Sequence, residues 1–225
     1  MEKLNKLNKI FNKIYYNLFI ERFTGKIQNN FPKDYYRWDL INYLIEKKNY
    51  KNYLEIGCDQ NQLFSKVKIN NKIGVDPESG GNIRTTSDNF FSDNTKKFDI
   101  IFIDGLHVYE QVKKDIINSV KCLNENGIIL VHDCMPESLA KQAVPRFKMK
   151  WNGDVWKAIV DLRQNEELDI HTCEIDEGIG VIQKKENSDK LIINKPVHKL
   201  KFKDYHDNYR RYLRVINLYE FKDKF

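Results

Sequence analysis

The segment 98–107, with the sequence FDIIFIDGLH, constrains the fold of this chain more than any other part of it. Four consecutive apolar residues come before Asp104 and Gly105, and His107 follows two positions later. A short apolar run bounded by polar residues is typical of a strand that is buried on both faces, as in a parallel sheet covered by helices. Such a sheet binds its ligands outside the carboxyl ends of its strands. The segment therefore predicts a buried strand with Asp104 and His107 at the ligand-binding edge.

Short apolar runs alternate with helical patterns along the middle of the chain. The pattern predicts strands over residues 53–56, 72–75, 98–103 and 128–131. Amphipathic spacing predicts helices over residues 39–48, 60–67, 108–123 and 154–163. Two further strands, 169–175 and 178–183, are joined by a tight hairpin connection with the sequence DEG. This order predicts an α/β fold, a doubly wound sheet whose last strand is antiparallel.

The composition is that of a folded domain, with 41% hydrophobic residues, 13 Phe and 12 Tyr. No apolar run is long enough to cross a bilayer and no signal-peptide pattern opens the chain, so we expect a cytoplasmic protein. The four cysteines are scattered without a CxxC pair, which argues against a disulfide framework and a cysteine zinc site. The net charge of +6 is spread as Lys among many Asn. Because no nucleic-acid-binding motif accompanies it, we expect no nucleic-acid partner.

The first twenty residues have the pattern of an amphipathic basic helix. Apolar residues recur at helical spacing, with lysines on the other faces: Leu4, Leu7, Phe11, Ile14 and Leu18 against Lys3, Lys6, Lys9 and Lys13. One interpretation is a helix that packs on the domain or on a second subunit, which would make a homo-oligomer. The other is a helix that docks on a membrane surface or on a partner protein.

These patterns divide the chain into three parts. Residues 1–39 form an N-terminal amphipathic helical extension, residues 40–185 form the α/β domain, and residues 186–225 form a basic C-terminal extension. The C-terminal extension is predicted to be an appended helix or arm. No internal repeat or clear second domain is present.

The first candidate site follows the first two strands. Gly57 at the first turn lets a ligand approach the backbone, and Asp76, twenty-one residues after Glu55, can accept both hydroxyls of a ribose. Only one glycine is present where a dinucleotide fingerprint has three, which favours a nucleoside ligand without phosphates. The alternative is an ordinary strand-end glycine with a solvated Asp.

The second candidate site combines the ends of the next two strands. If these strands are neighbours, their backbones lie about 4.8 Å apart, and Asp104 and Asp133 could converge on one point. Two carboxylates with the imidazole of His107 or His132 nearby suit a divalent cation with open positions. His132 and Asp133 can both face the site only if the strand ends there. The alternative for Asp104 is a simple cap of the next helix.

The segment 151–156, with the sequence WNGDVW, leaves two interpretations open. Asn152 or Asp154 would make a good helix N-cap, with the tryptophans in the core. Alternatively, the segment is an active-site lid whose Trp and Asn contact the acceptor.

These motifs resemble those of class I S-adenosylmethionine-dependent methyltransferases, over roughly residues 40–185. The resemblance rests on Glu55-Ile-Gly57, Asp76-Pro77, Ser87-Asp88, and segments 98–107 and 127–133. More narrowly, IDGLHVYEQVKKD, HDC and WNGDVWKA look like a branch of small-molecule and sugar O-methyltransferases that includes relatives of macrocin O-methyltransferase. The resemblance implies a mostly parallel, seven-stranded Rossmann-like sheet.

The resemblance also implies roles for individual residues. Glu55 and Gly57 would line the methionine and ribose part of the cofactor, Asp76 would bind the ribose hydroxyls, and Ser87 and Asp88 would lie by the adenine. Asp104 would face both the cofactor and a metal such as Mg²⁺. The other metal ligands would then be Asp133 and His132.

The expected activity is methyl transfer from S-adenosylmethionine to a hydroxyl of a small molecule, a sugar or a glycan precursor. A divalent metal would assist, His107 is favoured as the base, and His132 is the alternative base. One competing hypothesis is a non-catalytic, methyltransferase-like module that binds a nucleoside or a partner. Another is a different reaction on the same fold, as in relatives of cephalosporin hydroxylase.

Overall fold

A computed structural model describes residues 5–225, so Lys3 and Leu4 of the predicted N-terminal helix lie outside the described residues. The described chain contains one seven-stranded sheet. Its strands are β1 (Asn52–Ile56), β2 (Asn71–Val75), β3 (Phe98–Ile103), β4 (Leu123–Val131), β5 (Leu168–Cys173), β6 (Ile179–Lys184) and β7 (Val215–Ile216). They lie in the order β2-β1-β3-β4-β6-β5-β7.

Helices flank this sheet and extend beyond it at both ends of the chain. They are α1 (Lys6–Tyr15), α2 (Arg37–Lys48), α3 (Ser87–Asp93), α4 (Tyr109–Cys122), α5 (Leu139–Gln142), α6 (Val155–Leu162), α7 (Phe202–Leu213) and α8 (Leu218–Lys224). A π-helical turn, Tyr16–Ile20, continues α1, and a short 3₁₀ turn, Val197–Lys199, precedes α7. Among the described residues, no helix is long and apolar enough to cross a membrane.

The predicted α/β fold with a mostly parallel sheet is confirmed. Strands β1 to β4 are mutually parallel, and β6, the second strand of the hairpin, runs antiparallel to both β4 and β5. The seventh strand, β7, is two residues long and pairs parallel with β5. It belongs to the C-terminal extension, for which the sequence predicted only a helix or arm.

One predicted helix is wrong, and two short helices, α3 and α5, were not predicted. Residues 60–67 form turns, because Asn61 has a left-handed backbone with φ 62° and the preceding Asp59 has φ 43°. Leu63, an apolar residue in this segment, is buried in the core even though the segment is not helical. By contrast, α3 forms where Thr86 accepts a hydrogen bond from the backbone N–H of Asn89 as an N-cap.

The apolar run of β3 divides between two layers of core. Ile101 and Ile103 pack into the cluster on one face of the sheet, whereas Ile100 and Phe102 pack into the cluster on the other face. All four side chains are almost completely buried. A strand covered on both faces therefore accounts for the apolar run that the sequence analysis began with.

The register of the sheet aligns the carboxyl ends of three strands. Ile103 of β3 is paired with Ile56 of β1 on one side and with Val131 of β4 on the other. The residues that follow these strands, Gly57, Asp104 and His132, therefore lie side by side at one edge. Because β6 runs antiparallel, the hairpin turn before it reaches the same edge.

Candidate active site

A cleft of about 570 Å³ opens at the carboxyl edge of β1, β2 and β3. Its volume is in the range of small-molecule and cofactor sites. The six residues predicted to bind the cofactor all line it: Glu55, Gly57, Asp76, Ser87, Asp88 and Asp104. His107 lines one end, and Arg37 at the start of α2 also contributes to the wall.

Glu55 is a buried carboxyl group within the cleft wall. The hydroxyl of Tyr53, which is also buried, donates a hydrogen bond to Glu55 Oε2 at 2.5 Å. Burial raises the pKa of Glu55 from 4.5 to about 7, although the Tyr53 hydrogen bond acts in the opposite direction. This carboxyl group therefore titrates near neutral pH, and a cationic ligand would favour its ionised form.

Gly57 makes room for the protein's own backbone. Its φ is +87°, and a Cβ atom there would lie 2.1 Å from the carbonyl oxygen of Asp104. Any larger residue would push the loop after β1 away from the end of β3. Gly57 lines the cleft, as a glycine that admits a ligand would, and it is also required by the close packing of two strand ends.

Asp76 is held in a fixed orientation by backbone donors. Its Oδ1 accepts hydrogen bonds from the N–H groups of Glu78 and Ser79, both at 2.8 Å, and its Oδ2 accepts one from Asp59 at 3.0 Å. Although burial acts in the opposite direction, these hydrogen bonds lower the pKa of Asp76. An ionised carboxylate with three protein donors retains capacity for a further hydrogen bond from a ligand hydroxyl.

Ser87 and Asp88 line the cleft at the start of α3. The side-chain amide of Gln111 donates to Asp88 Oδ1 at 3.1 Å and lies 3.3 Å from Ser87 Oγ. Lys114 pairs with Asp88 Oδ2 at 2.6 Å. The same Gln111 amide donates to Asp115, whose pKa burial raises to about 6. Gln111 therefore links α4 to the start of α3 at the end predicted to receive the adenine.

Asp104, His107 and Asp133 form a compact group beside the cleft. His107 Nε2 lies 3.1 Å from Asp104 Oδ1, and its Nδ1 lies 3.0 Å from Asp133 Oδ2. One ligand atom from each of the three residues lies within 4.8 Å of the others. Asp133 has a left-handed backbone with φ 62°, so β4 has ended and its side chain turns toward the site.

His132 lies behind this group. Its Nδ1 is 3.2 Å from Asp104 Oδ1, and its Nε2 donates to the backbone carbonyl of Asp176 at 2.9 Å. The three ligand atoms that converge include His107 and not His132, which the sequence analysis had placed among the metal ligands. In this structure His132 is positioned to orient Asp104.

The imidazole rings of His107 and His132 therefore both face the carboxylates of Asp104 and Asp133. Burial alone would lower the pKa of His132, but Asp133 and Asp104 raise it well above its usual value. The pKa of His107 is also raised, by its hydrogen bond to Asp104 and by the charge of Asp133, against the effect of burial. Although burial opposes ionisation, His132 and His107 hold the pKa of Asp104 well below its usual range.

The WNGDVW segment contacts His107 and Asp133. The ring of Trp151 stacks on His107 with centroids 5.5 Å apart, and Asn152 donates to Asp133 Oδ1 at 2.7 Å. Gly153 has φ +64°, and a Cβ there would overlap the carbonyl oxygen of His107. Asp154 accepts a hydrogen bond from the N–H of Tyr109, so it caps α4 and makes no side-chain cap on its own helix, α6. Trp156 alone is a core tryptophan.

The hairpin turn between β5 and β6 supplies site residues that the sequence analysis did not predict. Asp176 pairs with Arg37 at 3.1 Å, and the carboxylate of Glu177 pairs with the buried Lys141 at 2.8 Å. Glu177 also accepts a hydrogen bond from Asn152 at 3.2 Å. The sequence did contain the information needed to predict them. The hairpin strand β6 runs antiparallel to β4, so the turn before β6 lies at the carboxyl end of β4.

The donor set at Asp104, His107 and Asp133 fits a divalent cation. Two carboxylates and one imidazole are a mixed oxygen and nitrogen set that divalent metals accept, and the hydrogen bond from Asn152 would orient Asp133. The cleft likewise fits an uncharged nucleoside with a cationic tail, because its wall has Asp76 at one strand end and the Glu55 carboxyl at the next.

Comparisons with known proteins agree with this geometry. A family model described as "Methyltransferase domain" matches residues 69–134. A methyltransferase from Podospora anserina, solved with SAH bound, is 16% identical with a TM-score of 0.51, covering 67% of this chain and 78% of that one. An O-methyltransferase from Bacillus cereus in complex with SAH is 9% identical with a TM-score of 0.50, covering 78% of this chain and 97% of that one. No curated protein matches the sequence.

The fold is therefore the Rossmann-like fold of class I methyltransferases, as the resemblance implied. The family match spans β2, β3 and β4, and at 16% and 9% identity the solved structures show a likeness of fold.

Proposed function

We propose that this protein is an S-adenosylmethionine-dependent O-methyltransferase that acts on a hydroxyl of a sugar or glycan precursor. The observation that carries the proposal is the cleft, in which all six predicted cofactor residues come together with His107 at one end. The cofactor supplies an activated methyl group on a sulfonium sulfur. The protein must therefore bind the cofactor, align the acceptor and remove the proton of its hydroxyl.

Binding of the cofactor is assigned to the first two strand ends. The Asp76 carboxylate is fixed by three backbone N–H groups and would accept hydrogen bonds from ribose hydroxyls. The buried Glu55 carboxyl group complements the positive charge that S-adenosylmethionine carries on its methionine part. Ser87 and Asp88 line the same cleft, and the adenine would be placed beside them.

Proton removal is assigned to the group beside the cleft. His107 is stacked on Trp151 and held between two carboxylates, which fixes the direction in which its ring nitrogens point. Each ring nitrogen faces one of these carboxylates; although burial acts in the opposite direction, they raise the pKa of His107. A cation that neutralises the carboxylates would favour the neutral ring, which can accept a proton. A divalent cation held by the carboxylates of Asp104 and Asp133 would supply that charge and lower the pKa of the acceptor hydroxyl, and it would leave a nitrogen of His107 to accept the proton.

The acceptor class is inferred from the polar groups around His107. Carboxylate oxygens of Asp104 and Asp133 and the amide of Asn152 provide several hydrogen-bonding atoms within a small region. Such a surface complements an acceptor with more than one hydroxyl, as in a sugar.

The experiment measures S-adenosylhomocysteine formation with a panel of hydroxylated sugars and glycan precursors. Wild-type protein should turn over with at least one sugar acceptor, and EDTA should abolish the activity if the cation is required. Asp104→Asn should lose activity, whereas Asp207→Asn, at a surface acid on α7, should keep it. Full activity in Asp104→Asn would contradict the assignment of this group.

Calorimetry with S-adenosylmethionine separates catalysis from the binding-module alternative. Micromolar binding together with turnover supports the enzyme. Binding without turnover over the whole panel favours a nucleoside-binding module, and no binding rejects the cleft as a cofactor site.

A further inference from the structure

The N-terminal helix presents a large apolar surface to solvent. No described residue of α1 is buried. Seven large apolar side chains on α1 and its π turn are at least two-fifths exposed, and we call them the outward apolar face: Leu7, Ile10, Phe11, Ile14, Tyr15, Leu18 and Phe19. Monomeric proteins rarely expose contiguous apolar patches of this kind unless the patch binds something.

The other side of the helix is anchored on the domain, which fixes this orientation. Tyr16 is buried, and its hydroxyl accepts a hydrogen bond from Gln142 at 2.6 Å. The ring of Tyr16 packs edge-on against Phe147, with centroids 5.8 Å apart. Asn12 donates to the backbone carbonyl of Arg146 at 2.8 Å. The outward apolar face therefore points away from the domain, because the opposite side of the helix contacts the domain through Tyr16 and Asn12.

The charges around the face all have one sign. Residues 5–20 contain three lysines and no acidic residue. The first acid after them, Glu21, is buried and accepts hydrogen bonds from the backbone N–H groups of Phe202 and Lys203. The loop that follows Phe147 presents an exposed Lys-Met-Lys sequence at residues 148–150. The surroundings of the face are therefore apolar and basic.

We propose that the outward apolar face docks in the plane of an anionic lipid surface. An apolar face with flanking lysines is the pattern of an interfacial helix, in which apolar side chains enter the acyl boundary and the lysines contact anionic headgroups. At about 1.5 Å per residue, residues 6–20 would lie along the surface for about 22 Å. The same residues 5–20 of a second copy complement this face less well, because they would bring three more lysines and no acidic residue to pair with them.

The apolar contribution is tested by flotation of the full chain with lipid vesicles. Wild-type protein should bind phosphatidylcholine vesicles that contain about 30% phosphatidylglycerol. Phe11→Gln/Phe19→Gln removes two side chains that are 69% and 75% exposed and should weaken binding about a hundredfold. The matched control, Ile192→Gln/Tyr219→Gln, removes side chains that are 73% and 85% exposed outside α1 and should bind like wild type.

The charge contribution is tested by Lys6→Gln/Lys9→Gln/Lys13→Gln. This variant should bind the anionic vesicles about a hundredfold more weakly at low salt, because each lysine near such a surface contributes about 1 kcal/mol. Circular dichroism melting should show all variants folded like wild type, since the altered side chains do not enter the core.

Two results would overturn the proposal. One is a wild-type protein that does not bind the anionic vesicles, or binds pure phosphatidylcholine equally well. The other is a dimer in sedimentation velocity that dissociates in Phe11→Gln/Phe19→Gln, because a second copy would then occupy the face.

Discussion

Glu55 offers a test in which stability and function change in opposite directions. The carboxyl group is buried, and its pKa is raised from 4.5 to about 7, with burial as the largest cause. A raised pKa means that the folded protein binds the proton more tightly than the unfolded chain. The free energy of unfolding should therefore fall as the pH rises from about 4.5 to about 7, and stay low above that.

The magnitude follows from the size of the shift. One pKa unit corresponds to about 1.36 kcal/mol, so a shift of about 2.5 units destabilises the protein above pH 7 by about 3 kcal/mol. Glu55→Gln removes the ionisation and keeps an oxygen that can accept the hydrogen bond from Tyr53. Because a buried amide also has a desolvation cost, we expect a net stabilisation of about 1–3 kcal/mol at pH 8.

The assay is urea denaturation of both proteins at pH 8 and at pH 5. The variant should be more stable at pH 8, and the difference should largely disappear at pH 5, where the wild-type carboxyl group is mostly protonated when folded. Glu125→Gln, at an exposed position on β4, is the control and should show no difference at either pH.

The same variant should lose cofactor affinity. A neutral amide cannot complement the positive charge of S-adenosylmethionine, so we expect binding to weaken at least about tenfold, the equivalent of about 1.4 kcal/mol. Wild-type binding near pH 6 should release a proton, which calorimetry detects in buffers of different ionisation enthalpy. A variant that is no more stable at pH 8, or equally more stable at pH 5, would refute the reasoning from burial.

Further predictions concern the backbone, the site and the C-terminal extension. Gly57→Ala should destabilise the protein by about 2–4 kcal/mol in thermal unfolding, because φ is +87° and the new Cβ would overlap the carbonyl of Asp104. Asn152→Ala should lower kcat while leaving S-adenosylmethionine binding within about twofold in calorimetry, because it removes the hydrogen bonds to Asp133 and Glu177 and neither residue lines the cofactor cleft; a large loss of cofactor affinity would contradict this. Arg163→Met should cost about 3 kcal/mol in urea unfolding, since the buried guanidinium donates to backbone carbonyls of 189, 211 and 212; an unchanged midpoint would show that these bonds contribute little.

The C-terminal extension illustrates where local pattern stops being informative. Residues 186–225 have too little apolar periodicity to predict a strand, yet β7 pairs with β5 at the sheet edge. Its pairing depends on Arg163 and Arg214, which bond to groups far away in the sequence. Arg214 pairs with the buried carboxylate of Asp169 at 2.6 Å. Such ionic contacts between distant segments leave no periodic signal.

The two histidines illustrate the same limit at the site. The sequence placed His107 and His132 beside two strand ends, and the sheet register brings those ends together. Which imidazole converges with Asp104 and Asp133 depends on ring orientation. Trp151 stacks on His107 and the Asp176 carbonyl binds His132, and both contacts come from segments more than forty residues away.

The sequence by itself determined the strand at 98–103, the alternation of strands and helices, and the acids that follow the strands. These depend on side-chain period and on the polarity change at a strand end, which are local properties. Only the tertiary structure decided the pairing of β7, the capping of α4 by Asp154 and the raised pKa of Glu55. Each of these depends on distances between residues far apart in the chain, and such distances are set by strand register and core packing.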